Sequence, residues 1–426
     1  MVKATRVLLS VAVGTSRTLA SQLLRQDRSL AVSAAFATST RSTATSLLRQ
    51  SSIQRSCRAH STMSSSEPSS NFRVITYNLL SSSLDDAKSH IMCDRDNLNS
   101  ARRLQRIQSK LAAECAAGSV LCLQEVSLLW VGQLHVWLQQ HGYTMVTANY
   151  GNRFNGHMGV AIAWPQQTYE AVDVCIDNIA DTKRWGWAPR TTSIVTTFSI
   201  LSTAARSLMK LLPWASTPPP SSQIGGGNAA DPWADAQRRH NQMVFVRLRR
   251  RAGGGGGGAR PVCVATYHMP CAFRVPPMMT IHAALAAQHV ARLARGDAHV
   301  FAGDFNFTPD SPQYALVTRG ALNSSDPAYP VPPPWEAPID WQPQLAAPLR
   351  SAYREVQGRE PELTNWSCIG DNGEFSGCLD YVFYGGELSP TEVIPLRDAA
   401  ALRGQGPFPT AAEPSDHVML GATFKL

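Results

Sequence analysis

No stretch of the 426-residue chain approaches 18 consecutive apolar residues, so the sequence holds no transmembrane helix. No two cysteines stand as Cys-x-x-Cys. The nine present (Cys57, Cys93, Cys115, Cys122, Cys175, Cys263, Cys271, Cys368 and Cys378) are odd in number and dispersed, which argues against a disulfide framework and against a zinc site. Charged residues make up only 16% of the chain. The glycine run 253–258 is followed by neither a helix signal nor Gly-Lys-Ser/Thr, so it reads as a hairpin loop rather than a phosphate cradle. What is present suffices for a sizeable core: 44% of residues are apolar, which excludes global disorder.

The formal charge of +8 is not spread evenly. Residues 1–66 hold nine basic side chains against the single acid Asp27, so the leader accounts for all of it and the remaining residues balance. Nucleic-acid binding must therefore rest on a local site and not on a global basic field. The leader is rich in Arg, Ser, Thr and Ala, and residues 6–28 pattern as an amphipathic helix, the composition of an organelle transit peptide. Arg in place of Lys favours a mitochondrion over a plastid. A secretory signal is the less favoured reading, because the apolar core Val7–Val13 is short and soon meets Arg17. Processing near Arg58 would start the mature chain around His60–Met63. The competing reading is a tail that targets nothing.

The folded domain is expected over 67–426, with a low-complexity insert at about 201–243. Its first strand is RVITYNLL (73–80). A helix at 98–117, a buried strand at 119–126 and a helix at 127–141 carrying Leu128, Leu129, Leu134 and Leu138 follow. YTMVTANY and GVAIAWP read as strands; 192–200 reads as a strand or a helix start; 214–240 reads as a loop. VFVRLRR and PVCVATYH pair around the glycine run. Helices at 276–295 and 311–320, a Pro-rich surface loop at 323–348, and the strands CLDYVFY and HVMLGATFKL complete the domain. Hairpins mixed with strand–helix–strand units predict an α/β fold, two mixed sheets packed as a sandwich with outer helices.

Polar residues recur where these apolar strands end. Asn78 ends the first, Glu125 the second, His268 ends VCVATYH, and Asp304 and Asn306 end FAGDFN. Asp380 sits in CLDYVFY, and Asp416–His417 open the last strand. A buried charge is costly unless paired. Carboxylate, amide and imidazole groups at so many strand ends therefore call for a cation or ligand, and an oxygen-rich set suits Mg²⁺ or Mn²⁺. His282, His289 and His299 lie on or after a helix and read as structural or surface residues. Trp185, Trp187 and Trp366 read as packing residues, with base stacking as the alternative. Arg249–Arg251 read as a solvated strand end.

The blocks TYNLL, LCLQEV, TYH, GDFNFTPDSPQY, LDYVFY and SDH, in this order, resemble the endonuclease/exonuclease/phosphatase superfamily. GDFNFTPDSPQY and SAYREVQGREPELTN (351–365) are similar to its deadenylase branch, the Ccr–Not catalytic subunits, nocturnin, the Angel proteins and the 2′,5′-phosphodiesterases. No leucine-rich repeats precede the domain, unlike the Ccr–Not subunits, and 156–190 departs from the family's strand sequences, which leaves the substrate open.

The resemblance implies a four-layer α/β/β/α sandwich of the DNase I type and a Mg²⁺-dependent (or Mn²⁺-dependent) phosphodiesterase. The implied substrate is RNA or an oligonucleotide, cut by a deadenylase-type 3′-exoribonuclease. A phospholipid, sugar phosphate or small nucleotide is the alternative, and a non-catalytic scaffold the third reading. Glu125, Asn78 and Asp416 are implied to hold the metal. Asp304 would orient or deprotonate water, Asn306 hold phosphate or water, and His268 donate to a phosphate oxygen. His417 would face the phosphate with its tautomer fixed by Asp380. On an extended strand Asp416 and His417 would diverge.

Overall fold

The computed structural model describes residues 71–86, 90–186, 231–251, 260–368 and 373–426. The leader, Trp187, the 192–200 segment and most of the expected insert lie outside them. The strands are β1 (Asn71–Asn78), β2 (Val120–Val126), β3 (Tyr143–Asn149), β4 (Gly159–Pro165), β5 (Tyr169–Asn178), β6 (Gln242–Arg250), β7 (Val262–His268), β8 (His299–Asp304), β9 (Arg350–Ser351), β10 (Asn365–Cys368), β11 (Glu374–Gly377), β12 (Asp380–Gly385), β13 (Ser389–Val393) and β14 (Leu420–Lys425).

They form two six-stranded sheets and one small hairpin, β10–β11. The first sheet runs β13-β14-β1-β2-β4-β3, the second β5-β6-β7-β8-β12-β9. Both are mixed: β1–β2 and β7–β8 are parallel, and the other pairs are antiparallel. The N-terminal strand β1 lies inside its sheet, between β2 and the C-terminal strand β14.

Burial explains the layers. One apolar cluster (Val74, Val120, Ile162, Val246, Val264, Val300, Val382, Leu420) fills the space between the sheets. A second packs the helix Pro276–Ala294 on the outer face of the β5–β9 sheet, and a third packs the helices Ser100–Ala116 and Leu128–Gln140 on the other sheet. β2 and β4 are buried along their whole length, as their near-continuous apolar sequences require. The helix Ser100–Ala116 starts where the Asn99 side chain accepts from the Arg102 N–H and turns Leu104, Ile107, Leu111 and Cys115 inward. The expected α/β sandwich is thus the fold.

Several local readings change. Leu128 and Leu129 are exposed; the inward stripe of their helix is Trp130, Leu134 and Leu138, spaced by four. The stretch read as a loop to 240 ends in a helix, Pro232–Gln237, whose N-terminal N–H groups of Trp233 and Ala234 are capped by Asp231. Gln242, inside the expected insert, already begins β6. His299, after the helix Pro276–Ala294, opens a strand, and His282, His289 and His299 are all buried rather than at the surface. Arg249 and Arg251 pair with Glu170 at the strand end.

The Pro-rich segment 323–348 is not purely superficial either. It carries the buried Glu336, which pairs with the buried Lys183. The Lys183 ammonium faces the rings of Trp185, Trp341 and Trp233 at 4.7, 5.4 and 5.7 Å. Trp185 is therefore committed to packing. Trp366 is too: it is buried against Phe408, and its indole N–H donates to Glu374 at 2.7 Å.

Candidate active site

Strand register puts the polar strand ends on one rim. In the second sheet His268 lies opposite Asp304, and Asp304 opposite Asp380, so three neighbouring strands end side by side in His, Asp and Asp. In the first sheet Asn78 lies opposite Gln124 on the parallel neighbour β2. Glu125 follows in a bulge: between the pairs Leu123–Ala161 and Val126–Gly159, β2 has two residues where β4 has one. The bulge places Glu125 at φ 55, the left-handed region that a side chain enters only at a cost of about 1–3 kcal/mol. Asn306, just past β8, sits at φ 53. Backbone strain thus falls on two of the residues singled out from sequence.

Asn78 joins the two sheets. Its side-chain NH₂ donates to Glu125 Oε1 at 3.1 Å and to Asp304 Oδ2 at 2.9 Å. Its side-chain oxygen accepts from the Leu80 N–H at 2.9 Å, so the face it turns to the carboxylates is the amide nitrogen. The second Glu125 oxygen accepts from the Ser81 N–H at 2.9 Å. Gln124, one residue back, bridges Thr76 and Thr266 at the base of the site.

Across the rim His417 Nδ1 meets Asp380 Oδ2 at 2.7 Å, and the Thr364 hydroxyl donates to the same oxygen at 2.7 Å. His417 Nε2 points to Asp304 Oδ2 at 3.7 Å. Asp416 Oδ1 is 3.9 Å from His417 Nε2, so these neighbours do not diverge as expected: β14 starts only at Leu420, and residues 415–417 bend. The bend is held by the Ser415 hydroxyl, which donates to the Asn78 carbonyl at 2.7 Å and accepts from the His417 N–H at 3.2 Å. His268 is held between the Tyr150 hydroxyl, 3.0 Å from Nδ1, and Asp304, 3.5 Å from Nε2. The Asn306 side chain donates to the Met269 carbonyl, and its N–H donates to Asp304.

The structure therefore gathers Asn78, Glu125, His268, Asp304, Asn306, Asp380, Asp416 and His417 on one rim. The supporting residues Tyr150, Ser81, Thr364, Asn241 and Ser415 escape the sequence analysis. Thr364 and Ser415 lie inside quoted motif blocks, so a weight on every polar residue of those blocks would have found them. Tyr150 and Asn241 carry no such signal.

The electrostatics follow from burial. Burial pushes the Asp304 carboxyl above its ordinary range, against the pull of His417. Burial also opposes a charge on His417, but the carboxylates of Asp380, Asp304 and Asp416 outweigh it and hold the imidazolium well above its usual range. Asp304, Asp380 and His417 come close enough to share an ion. A doubly hydrogen-bonded Asp380 and a protonated His417 make that trio a poor hard-cation site, because a ligating imidazole must be neutral.

The residues present do fit a divalent cation. Glu125, Asp304, Asp380 and Asp416 are all buried, one imidazolium cannot balance them, and Asp380 Oδ1 is buried without a hydrogen-bond partner. Among the described residues, the ion-pair partners of Asp304, Asp380 and Asp416 are histidines.

The chain is similar to 2′,5′-phosphodiesterase 12 of Mus musculus, 27% identical over 178 residues that cover 39% of this chain and 26% of that protein. It is also similar to carbon catabolite repressor protein 4 homolog 4 of Arabidopsis thaliana, 29% identical over 129 residues, 30% of this chain and 27% of that one. The alignments thus span about a quarter of the length of these relatives. The fold is similar to that of ANGEL2, a 2′,3′-cyclic phosphatase solved with adenosine-2′,3′-vanadate: TM-score 0.59 and 20% identity over 83% of this chain and 95% of that one. These relatives are those of the deadenylase-like branch that the motifs resemble. Residues 75–417 match the Endonuclease/Exonuclease/phosphatase family, enzymes that hydrolyse phosphoester bonds and generally need a divalent metal, and the chain belongs to that family.

Proposed function

We propose that the chain is a Mg²⁺-dependent phosphodiesterase, a 3′-exoribonuclease of deadenylase type acting on RNA or an oligonucleotide in mitochondria, with Mn²⁺ as the alternative ion. The observation that carries the reading is the Asn78 bridge between Glu125 and Asp304, which brings the ends of both sheets to a common centre facing the Asp380–His417 pair. Glu125, supported by Asn78 and Asp416, would hold the metal, which would supply Lewis-acid polarisation of a phosphate oxygen. His417, charged and oriented by Asp380, presents Nε2 as a donor to a non-bridging phosphate oxygen. Asp304, whose raised affinity for a proton suits a base, orients and deprotonates the attacking water. His268 Nε2 donates to the developing charge from the other side. Asn306 is anchored to Met269 and Asp304 at the edge where phosphate or water would sit.

A second reading keeps this centre and changes the substrate to a small nucleotide or a 2′,3′-cyclic phosphate end. The charge balance of residues 67–426 favours it, since a groove for long RNA is ordinarily basic. A panel of poly(A), 2′,5′-oligoadenylate, DNA, a 2′,3′-cyclic nucleotide and sphingomyelin, each with Mg²⁺, decides between them. Release of AMP from the 3′ end of poly(A) supports the first reading, and inactivity on every nucleic acid refutes it. The leader is proposed to direct import and to be removed near residue 60. A native protein that starts at Met1 in the cytosol would refute this part.

A further inference from the structure

Tyr150 ends the strand-to-loop passage after β3, and its ring packs against the core between the sheets. Its hydroxyl lies 3.0 Å from His268 Nδ1. The Asn241 side chain holds the backbone beside them: its NH₂ donates to the His268 carbonyl at 2.9 Å. The phenol has one hydrogen. Directed at His268 Nδ1, that hydrogen makes Nδ1 the unprotonated nitrogen. The proton of neutral His268 is left on Nε2, which faces Asp304 Oδ2 at 3.5 Å. An acceptor carboxylate on that side favours the same tautomer.

We propose that the Tyr150 hydroxyl is a one-way hydrogen-bond relay that donates to Nδ1 and locks His268 in its Nε2–H form, making Tyr150 a positioning residue for the phosphate-facing donor. This deepens the phosphodiesterase reading and rests on it for the role of His268. Burial, with Glu125 nearby, holds the Tyr150 hydroxyl well above its usual range, so the relay keeps its proton in neutral solution. The wrong tautomer would turn an acceptor lone pair toward both Asp304 and the substrate, which removes the donor without moving an atom of the site.

The test is ¹⁵N-histidine NMR of the full-length protein, with kinetics on bis(p-nitrophenyl) phosphate and oligo(A) in Mg²⁺. The wild type should show His268 protonated on Nε2. Tyr150→Phe keeps the ring and deletes the relay. It should mix the two tautomers and lower kcat by about 10–100-fold, with KM within about twofold and the Mg²⁺ midpoint unchanged. A wild-type spectrum with the proton on Nδ1 overturns the proposal, as does Tyr150→Phe with wild-type kcat. A variant that fails to fold leaves the wild-type spectrum to decide. A wild type inactive on both substrates refutes the phosphodiesterase reading, while the spectrum still decides the relay.

Discussion

Glu125→Gln separates the two burdens this residue carries. The carboxylate accepts from Asn78 at 3.1 Å and from the Ser81 N–H at 2.9 Å. An amide keeps one acceptor and sets its NH₂ against one of those donors, costing about 1–2 kcal/mol for a lost bond and an unsatisfied buried group. Against that, one of four buried carboxylates becomes neutral, and the relief of mutual repulsion offsets a similar amount in the absence of metal. The metal-free fold should therefore change in stability by no more than about 1 kcal/mol. Activity should change far more: without an anionic oxygen the hard cation is lost, and a rate loss of about 10³-fold corresponds to about 4 kcal/mol of transition-state stabilisation. Two measurements are needed. Urea denaturation in chelator reports the first quantity, and turnover after chelation and stepwise return of Mg²⁺ reports the second. Near wild-type turnover at the same Mg²⁺ midpoint would refute the assignment of Glu125 as a ligand. A loss of more than about 3 kcal/mol in chelator would show that its hydrogen bonds, not its charge, are the reason for the residue.

Asp380→Asn should leave the Mg²⁺ midpoint nearly unchanged while turnover falls by about 10–100-fold, because His417 loses its orienting partner. In the metal-free protein His417 binds its proton more tightly folded than unfolded, so its contribution is complete below about pH 6.5 and lost as pH rises through the raised folded value. Removing the Asp380 charge should shift that alkaline loss to lower pH in pH-dependent denaturation. His282 and His299 behave oppositely: burial lowers both to about 4, so unfolding gains a proton that the fold refuses. The domain should lose roughly 3 kcal/mol for each between pH 6.5 and 4, read by urea melts, and His282→Gln should flatten the curve. Lys183→Met strands Glu336 as a buried unpaired charge and should cost about 3–5 kcal/mol. A Lys183→Met, Glu336→Leu double variant should recover most of it, and no recovery would mean that the Trp cage, not the ion pair, dominates.

The strand ends were the legible part of this molecule. An apolar run that stops at a carboxylate or imidazole marks both a buried strand and the rim where it emerges, and so His268, Asp304 and Asp380 could be placed before their register was known. Boundaries that depend on packing were not legible. The pairing of Leu128 with Leu129 says nothing about which side of the helix the sheet lies on, and Trp130 won the inward position. The bend at 415–417 is fixed by the Ser415 contact to Asn78, 337 positions away, which no local pattern encodes. Tyr150 and Asn241 were silent for the same reason: their roles exist only where β3, β6 and β7 come together. The stacking alternative for Trp185 and Trp366 failed because an indole with a buried partner is indistinguishable in sequence from one facing solvent.

β1 pairs with β14, the last of the described strands, and this sets the order in which the sheet can be made. Until Leu420–Lys425 leaves the ribosome, β1 has β2 on one side and an open row of backbone donors and acceptors on the other. At 5–20 residues per second, the roughly 350 residues between them take about 20–70 s to synthesise. Throughout that interval the nascent chain presents a sticky, half-built sheet, and Asn78 waits without the Ser415 hydroxyl that its carbonyl later receives. A ribosome that stops short of Leu420 would release a chain holding nearly all of the described strands, an unclosed sheet prone to pairing with its neighbours, and an incomplete centre. Closure of the rim is thereby tied to synthesis of the segment from Ser415 to Lys425, and a premature stop anywhere before His417 yields a substrate for chaperones and proteases rather than a partly active enzyme.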